Sequence, residues 1–305
     1  MRHFIDLADW STDDLRQLLD LAVELKQEWR AGGNKPVLRG KALAMVFQKP
    51  SLRTRVSFEV GMQHLGGSAL MIGPQEIGLG KRESIPDVAR SLSCFVQGIM
   101  ARVFDHAHVT ELAEWSRVPV INGLSDAQHP CQAMADLLTI YEHFGRLDGL
   151  RVVYVGDGNN VARSLAQAGA NFGVHFAIAA PPGYQFSEDD MTGFAEASER
   201  SGGSLEAYED PYSAVKNADV VYTDTWVSMG QEAETDTRVA ALRAYQVNDD
   251  LMRAAGKRAI VMHCLPAHRG HEITDSVADG DQSVIFQQAE NRLHIQKAIL
   301  VTLMG

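Results

Sequence analysis

Two rhythms of apolar and polar positions alternate along the chain. In "STDDLRQLLDLAVELKQEW", Leu15, Leu18, Leu19, Ala22 and Leu25 or Val23 recur at the spacing of one helix face. Ser11 or Thr12 supplies an N-cap, acidic residues fill the first turn, and Gly32-Gly33 stop the helix. Beyond it, short apolar runs alternate with helical stretches: "KALAMVF", "SALMI", "GIMARVF", "VPVING", "RVVYVG", "HFAIAA", "DVVYTD", "AIVMHC" and "SVIFQQ". Strands separated by helices predict an α/β fold with mostly parallel sheets flanked by helices. The runs divide near residue 130, where "HPCQAMADLLTIYEHFG" predicts a long amphipathic helix with Met134, Leu137, Leu138 and Tyr141 on one side. That helix is placed to join two α/β domains, and a last helix, "AENRLHIQKAILVTLM", to pack back on the first.

Length agrees with two domains, since 305 residues exceed what one core usually spans. Asp and Glu (39) outnumber Lys and Arg (28), and the net charge of -11 speaks against nucleic acid or an acidic membrane surface as a partner. The three cysteines, Cys94, Cys131 and Cys264, form neither a disulfide framework nor a zinc spacing. They fit a reducing compartment. With no apolar signal region at the start and no run long enough to span a bilayer, a cytoplasmic protein is expected.

Against that acidic background, "KPSLRTRVSFE" places Lys49, Arg53 and Arg55 within seven residues. Pro50 disfavours helix just before it, and Phe58, Met62 and Leu65 give a helical stripe after it. Ser51-Leu52-Arg53-Thr54 therefore occupies a strand-to-helix turn. Such a turn is either a capped helix with solvated arginines or an anion site of backbone N–H groups, hydroxyls and guanidinium forks. Other polar signals also follow apolar runs: Arg102, His129-Pro130-Cys131-Gln132, "GDGNN" (156–160), Asp224 before "TWVSMG", and His263-Cys264-Leu265-Pro266. Ligands of open α/β sheets bind at the carboxyl ends of strands. Taken singly, His129 also fits a core or capping histidine, and Cys264 a buried small hydrophobe. "GDGNN" has Val161 where a dinucleotide fingerprint has its third glycine.

"KPSLRTRVSFE", "HPCQAMADLLTI", "VGDGNN", "DTWVSMG", "HCLP" and "AENRLHIQKA", in this order, resemble the ornithine carbamoyltransferases over nearly the whole chain. The first two motifs are shared with the wider aspartate/ornithine carbamoyltransferase group. The resemblance implies two α/β domains and transfer of a carbamoyl group from carbamoyl phosphate to the δ-amine of L-ornithine, giving citrulline and phosphate in arginine biosynthesis. It implies a homotrimer, with no cofactor and no metal. Residues 1–131, with helix 289–305, would bind carbamoyl phosphate, and residues 132–288 ornithine. Carried over by residue, Ser51, Leu52, Arg53 and Thr54 hold the phosphate, with Gln75 and Arg292 also reaching carbamoyl phosphate. Arg102, His129 and Gln132 bind its carbamoyl end. Asn160 (with Asn159 beside it), Asp224, Ser228 and Met229 hold the amino-acid end of ornithine, and Cys264 and Leu265 lie at the reacting centre, where they also bind carbamoyl phosphate. Arg102, His129 and Cys264 are the expected catalytic groups.

Two positions depart from the family pattern. Leu52 stands where threonine is usual, but its backbone N–H is kept. Gly78 stands where some members carry a histidine that reaches a neighbouring subunit's phosphate, with Lys81 or Arg82 as possible substitutes. The stretch "SMGQEAETDTR" has the glycine and charges of a closing loop. Rival readings are a carbamoyltransferase for putrescine or acetylornithine, a nicotinamide oxidoreductase resting on "GDGNN", and a catalytically silent subunit. The resemblance does not separate an anabolic from a catabolic direction.

Overall fold

The computed structural model describes residues 1–228 and 230–305. The chain divides into two compact units, one of Met1–Leu138 with Glu290–Gly305 and one of Thr139–Ala289. Both divisions fall inside helices, Pro130–Phe144 and Ile285–Met304.

The first unit holds a parallel sheet of β1 (Ala42–Phe47), β2 (Ser68–Ile72), β3 (Gly98–Arg102) and β4 (Val120–Leu124), ordered β2-β1-β3-β4. Its interior strands are buried on both faces, which is why "ALAMVF" and "GIMAR" read as unbroken apolar runs. Val46, Ile99, Ala101, Val109 and Leu112 belong to one core cluster of this unit. The helix Thr12–Arg30 starts where the pattern places it, with Ser11 as N-cap, and the four leucines and Ala22 of its stripe are buried. Glu290–Gly305 is tied to that helix through Lys26, whose Nζ donates to Asn291 Oδ1 at 2.7 Å. Lys297 Nζ donates to Asn34 Oδ1 at 2.6 Å.

The second unit holds β5 (Arg151–Val155), β6 (His175–Ala179), β7 (Ser204–Tyr208), β8 (Val220–Thr223) and β9 (Ile260–His263), all parallel and ordered β7-β6-β5-β8-β9. Val153, Val155, Ala177, Val221 and Val261 centre its core. Each sheet has one place where the winding reverses, β1/β3 in the first and β5/β8 in the second. Loops leave in opposite directions there and open a crevice at the strand ends.

Three elements differ from the sequence expectation. "SVIFQQ" is not a strand: Ser283 makes one isolated bridge to Val261, and Ile285 begins the final helix. β7 was not foreseen, because "SLEAY" is a half-buried edge strand without an apolar run. Tyr141 is exposed, whereas Met134, Leu137 and Leu138 are fully buried. Among the described residues no helix is long and apolar enough to cross a membrane.

Candidate active site

In the first unit the register Phe47↔Arg102 brings the ends of β1 and β3 together, and the Gln48 N–H donates to the Arg102 carbonyl at 2.8 Å. Ser51 then caps the helix Leu52–His64, its Oγ accepting from the Thr54 N–H at 3.3 Å. Thr54 is wholly buried and its Oγ1 is a meeting point. It accepts from Ser51 Oγ at 3.1 Å, Arg292 Nη2 at 3.2 Å and Arg102 Nη1 at 3.5 Å. Arg292 Nη1 also donates to Gln132 Oε1 at 2.7 Å, and Gln132 Nε2 donates to the buried Asp136 carboxylate at 2.7 Å. That chain fixes which end of the Gln132 amide faces the guanidinium.

His129 follows a turn closed by Ser125, whose N–H donates to the Gln128 carbonyl at 2.9 Å and whose Oγ accepts from the Gln128 N–H at 3.1 Å. Burial, and then the charges of Arg292, Arg102 and Arg53, hold His129 well below the usual histidine range. The imidazole is therefore neutral at neutral pH. Burial pushes the neighbouring Cys131 thiol up to about 12, so it stays protonated.

The cationic run of the sequence does not act as one cluster. Arg53 lies close enough to shift His129, but Arg55 is exposed and pairs with Glu59 along the helix at 3.4 Å. Lys49 is buried with its Nζ 4.4 Å from the centre of the Phe104 ring. Leu52 is 74% exposed. Gln75 sits exposed on the short helix Pro74–Ile77, which Gly78 ends in the left-handed conformation (φ 52°). A Cβ at Gly78 would lie 2.7 Å from the Cβ of Arg82, so this loop has no room for the histidine some relatives carry.

In the second unit the register Thr223↔His263 puts the next residues, Asp224 and Cys264, side by side at the ends of β8 and β9. Cys264 Sγ donates to Asp224 Oδ1 at 3.0 Å. Asn159 Nδ2 donates to Asp224 Oδ2 at 3.0 Å, while Asn159 Oδ1 accepts from the Val161 and Ala162 N–H groups and from the Tyr154 hydroxyl. Burial, with the charges of Asp224 and Cys264, lifts Tyr154 well above the usual tyrosine range, so it remains a donor. Asn160 is the first residue of the helix that Asn159 caps. Because Asn159 occupies the first-turn N–H groups that a pyrophosphate would need, the dinucleotide reading of "GDGNN" loses its anion site.

Leu265 has a left-handed backbone (φ 60°), which costs a leucine about 1 kcal/mol or more. The buried His263 supports it: Nδ1 accepts from the Leu265 N–H at 2.8 Å, and Nε2 donates to Glu272 at 3.1 Å. Burial raises the Glu272 carboxyl, but the bonds from His263 and the His268 N–H outweigh it and the net shift is downward. Asp224, His263 and Cys264 each bring one possible ligand atom within 4.8 Å of the others. Both ring nitrogens of His263 are used in hydrogen bonds, so the trio is already accounted for. The Ser228 N–H donates to Gln231 Oε1 at 3.2 Å, and Met229 lies outside the described residues. The stretch expected to be a closing loop contains a 3-10 turn, Glu232–Glu234, and is α-helical from Thr235.

Sequence and structure comparisons agree on what these two clusters belong to. Residues 2–142 match the aspartate/ornithine carbamoyltransferase carbamoyl-P binding domain, and residues 148–303 the Asp/Orn binding domain of the same family. The chain belongs to the aspartate/ornithine carbamoyltransferase family. As a member of it, the protein is a carbamoyltransferase. It is 53% identical to the ornithine carbamoyltransferase of Symbiobacterium thermophilum, over 100% of this chain and 98% of the relative. It is 51% identical to the anabolic ornithine carbamoyltransferase of Pyrococcus furiosus, over 100% of this chain and 96% of the relative. A solved ornithine carbamoyltransferase from Pyrococcus furiosus superposes with a TM-score of 0.97 at 51% identity, covering 100% of this chain and 97% of the other. An acetylornithine transcarbamylase complexed with acetylcitrulline is more distant, at 33% identity and a TM-score of 0.89 over 100% of both chains.

The sequence did not single out Asp136, Glu272, Asp157 or Arg238, although each is a buried or half-buried charged residue bonded to a candidate site residue or to the segment carrying one. Asp136 was the most accessible of them, since a carboxylate on the buried side of an apolar helix demands a partner.

Proposed function

We propose that this carbamoyltransferase moves the carbamoyl group of carbamoyl phosphate to the δ-amine of L-ornithine, producing L-citrulline and phosphate in arginine biosynthesis. The observation that carries it is the Asp224 carboxylate, 6% exposed and set between Asn159 and Cys264, which suits a substrate with a free α-ammonium. In this reading residues 1–131 with 289–305 take carbamoyl phosphate and residues 132–288 take ornithine. Ser51, Arg53, Thr54 and the Leu52 N–H hold the phosphate, with Gln75 and Arg292 reaching the same ligand. Arg102, His129 and Gln132 take the carbamoyl end. Asn160, Asp224, Ser228 and Met229 take the amino-acid end, with Cys264 and Leu265 at the attacking amine.

The chemistry explains why such groups are needed. Attack by an amine puts negative charge on the carbonyl oxygen, and fixed donors stabilise that charge more than they stabilise the ground state. Arg102 supplies charge, and a neutral His129 donates without needing to shed a proton. The substrate is already activated, so no protein nucleophile is required. Holding two substrates in register contributes up to ~7–11 kcal/mol in favourable cases.

The decisive assay is citrulline formation, with ornithine, acetylornithine and putrescine offered in parallel. Ornithine is the expected substrate; preference for acetylornithine, the substrate class suggested by the more distant structure, would overturn the reading. We also assign the chain to the cytoplasm as a homotrimer, which the exposed Leu70 and Met71 on the edge strand β2 support. Light scattering of an active sample should give three times the 33.4 kDa chain mass.

A further inference from the structure

Two loops run side by side at the carboxyl end of the first sheet, one leaving β3 after Arg102 and one leading from β4 to His129. Backbone bonds join them. The Val103 N–H donates to the Leu124 carbonyl at 2.9 Å, and the Asp126 N–H donates to the Phe104 carbonyl at 2.9 Å. The His106 N–H donates to Asp126 Oδ1 at 2.9 Å. A side-chain contact is added to this clamp. His106 opens the helix His106–Trp115, and its Nδ1 lies 2.8 Å from Ser125 Oγ. The same hydroxyl oxygen accepts from the Gln128 N–H at 3.1 Å and from Asn122 Nδ2 at 3.4 Å. Its hydrogen has two acceptors in reach, the His106 ring nitrogen and, at 3.3 Å, the Gln128 carbonyl. That carbonyl already takes the Ser125 N–H, and the ring nitrogen is the nearer.

We infer that His106 is a positioning residue for the carbamoyl-transfer step, acting through Ser125 to set the turn that presents His129. The direction of the His129 ring follows from the backbone on its two sides. On one side its carbonyl accepts from the Gln132 and Ala133 N–H groups at 3.0 and 3.2 Å, which fixes it to the start of the helix Pro130–Phe144. On the other side stands the turn 125–128, and both bonds that close it end on Ser125, one on its N–H and one on its Oγ. A serine hydroxyl rotates to suit its neighbours. An acceptor at His106 Nδ1 holds its hydrogen outward and keeps a lone pair on the Gln128 N–H. Without that acceptor the hydrogen swings to the Gln128 carbonyl, the lone pairs turn away and the turn loosens. Position matters here because a donor to a developing oxyanion acts only at hydrogen-bond distance, and a displacement of about 1 Å can cost about 10²-fold in rate.

The inference rests on the reading of His129 as the group at the carbamoyl end, so His129→Gln is measured first, with the amine that the parallel assay selects. A wild-type kcat in that variant would sink both readings; a lowered one leaves His129 in place and puts the question to His106. His106→Phe keeps a ring and removes the acceptor, while the backbone bonds through Asp126 and Phe104 remain. It should lower kcat about 10-fold, the upper range for one hydrogen bond. The Kd for carbamoyl phosphate should stay within about 2-fold, since the turn Ser51–Thr54 is untouched. His106→Asn, whose amide oxygen can stand where Nδ1 stood, should return to within about 3-fold of wild type, and His106→Gln, whose amide matches Nε2, should not. Adding His106→Phe to Ser125→Ala should cost nothing beyond Ser125→Ala alone, because no hydroxyl is left to orient. Simple loss of stability would add in the double variant and would not separate asparagine from glutamine. Circular dichroism and Tm establish that each variant is folded, and the asparagine and glutamine pair decides the matter if His106→Phe is not. A kcat within about 2-fold of wild type in His106→Phe, additive losses in the double variant, or equal activity of the asparagine and glutamine variants would overturn the assignment.

Discussion

The two polar clusters sit at equivalent places in their sheets, the reversal point of each, yet they are built on opposite chemistry. In the first unit burial, and then the charges of Arg292, Arg102 and Arg53, favour the neutral form of one imidazole, and the carboxylate Asp136 accepts from the Gln132 amide, whose oxygen faces Arg292. In the second unit the central charge is the carboxylate Asp224, with a neutral amide on one oxygen and a thiol on the other. A buried positive centre is completed by an anion, and a carboxylate held by neutral donors keeps its charge for a cation. In the proposed reading, one architectural device, the strand-end crevice, would receive a dianion or an ammonium according to which side chains the loops deliver.

The sharpest way to break this comparison is to remove charge from the cationic side. Arg53→Ala should weaken carbamoyl phosphate by about 10²–10³-fold, the cost of stripping one partner from a buried charge-assisted pair. Calorimetry reads it directly, and unchanged affinity would remove the phosphate from this turn. Next in size is the acidic side. Asp224→Asn keeps the shape and its two neighbours but loses the charge, and it should raise the KM for ornithine about 100-fold while sparing carbamoyl phosphate affinity. If both ligands weaken equally, the two clusters are not chemically separate.

Much of this contrast could be read from the chain and some could not. The strand ends were legible because apolar runs stop at polar residues, and the Ser51 cap because a proline and a helical stripe bracket it. The cationic triplet misled in part, because residues two apart on a helix point about 200° away from each other. Arg53 therefore turns toward His129 while Arg55 turns to solvent and Glu59. "SVIFQQ" misled because a short apolar run does not distinguish a strand from the first turn of a buried helix. Asp136 and Arg238 were silent in the sequence because their meaning lies in partners: four residues away for Gln132, but 81 positions away for Asp157.

A smaller effect separates the units through pH. His129 is held far below its ordinary range by burial and three arginines, and His294, in the same unit, is lowered to about 4 by burial with Lys297 and Lys26 nearby. Both favour the neutral form in the folded state. Their contribution is complete above the unfolded value of about 6.5 and is lost as pH falls from there toward the folded values, by at most about 1.4 kcal/mol per pH unit for each. Thermal melts between pH 7 and pH 4.5 should therefore show the unit containing Met1–Leu138 weakening with acid, and His129→Gln should flatten the slope. A slope unchanged in that variant would show that the imidazole is protonated in the fold.

The smallest expected effect lies at the position that departs most visibly from the family pattern. Leu52 occupies the first turn of the helix that Ser51 caps and is 74% exposed, with Val56 also exposed one turn on. Thr54, two residues on, is the wholly buried one, and its hydroxyl gathers the bonds from Ser51, Arg102 and Arg292. A threonine hydroxyl at 52 would thus face solvent, while the backbone N–H at 52, which leucine and threonine share, is what the helix start offers an anion. Leu52→Thr should then change carbamoyl phosphate affinity by less than about 2-fold. Stability should move by no more than about 0.5 kcal/mol, the range of an exposed substitution away from caps and cores. Calorimetry alongside a thermal melt measures both. A tenfold gain in affinity would mean that the 52 side chain turns inward when the anion binds, and that the cationic cluster is less preformed than the bonds at Thr54 indicate.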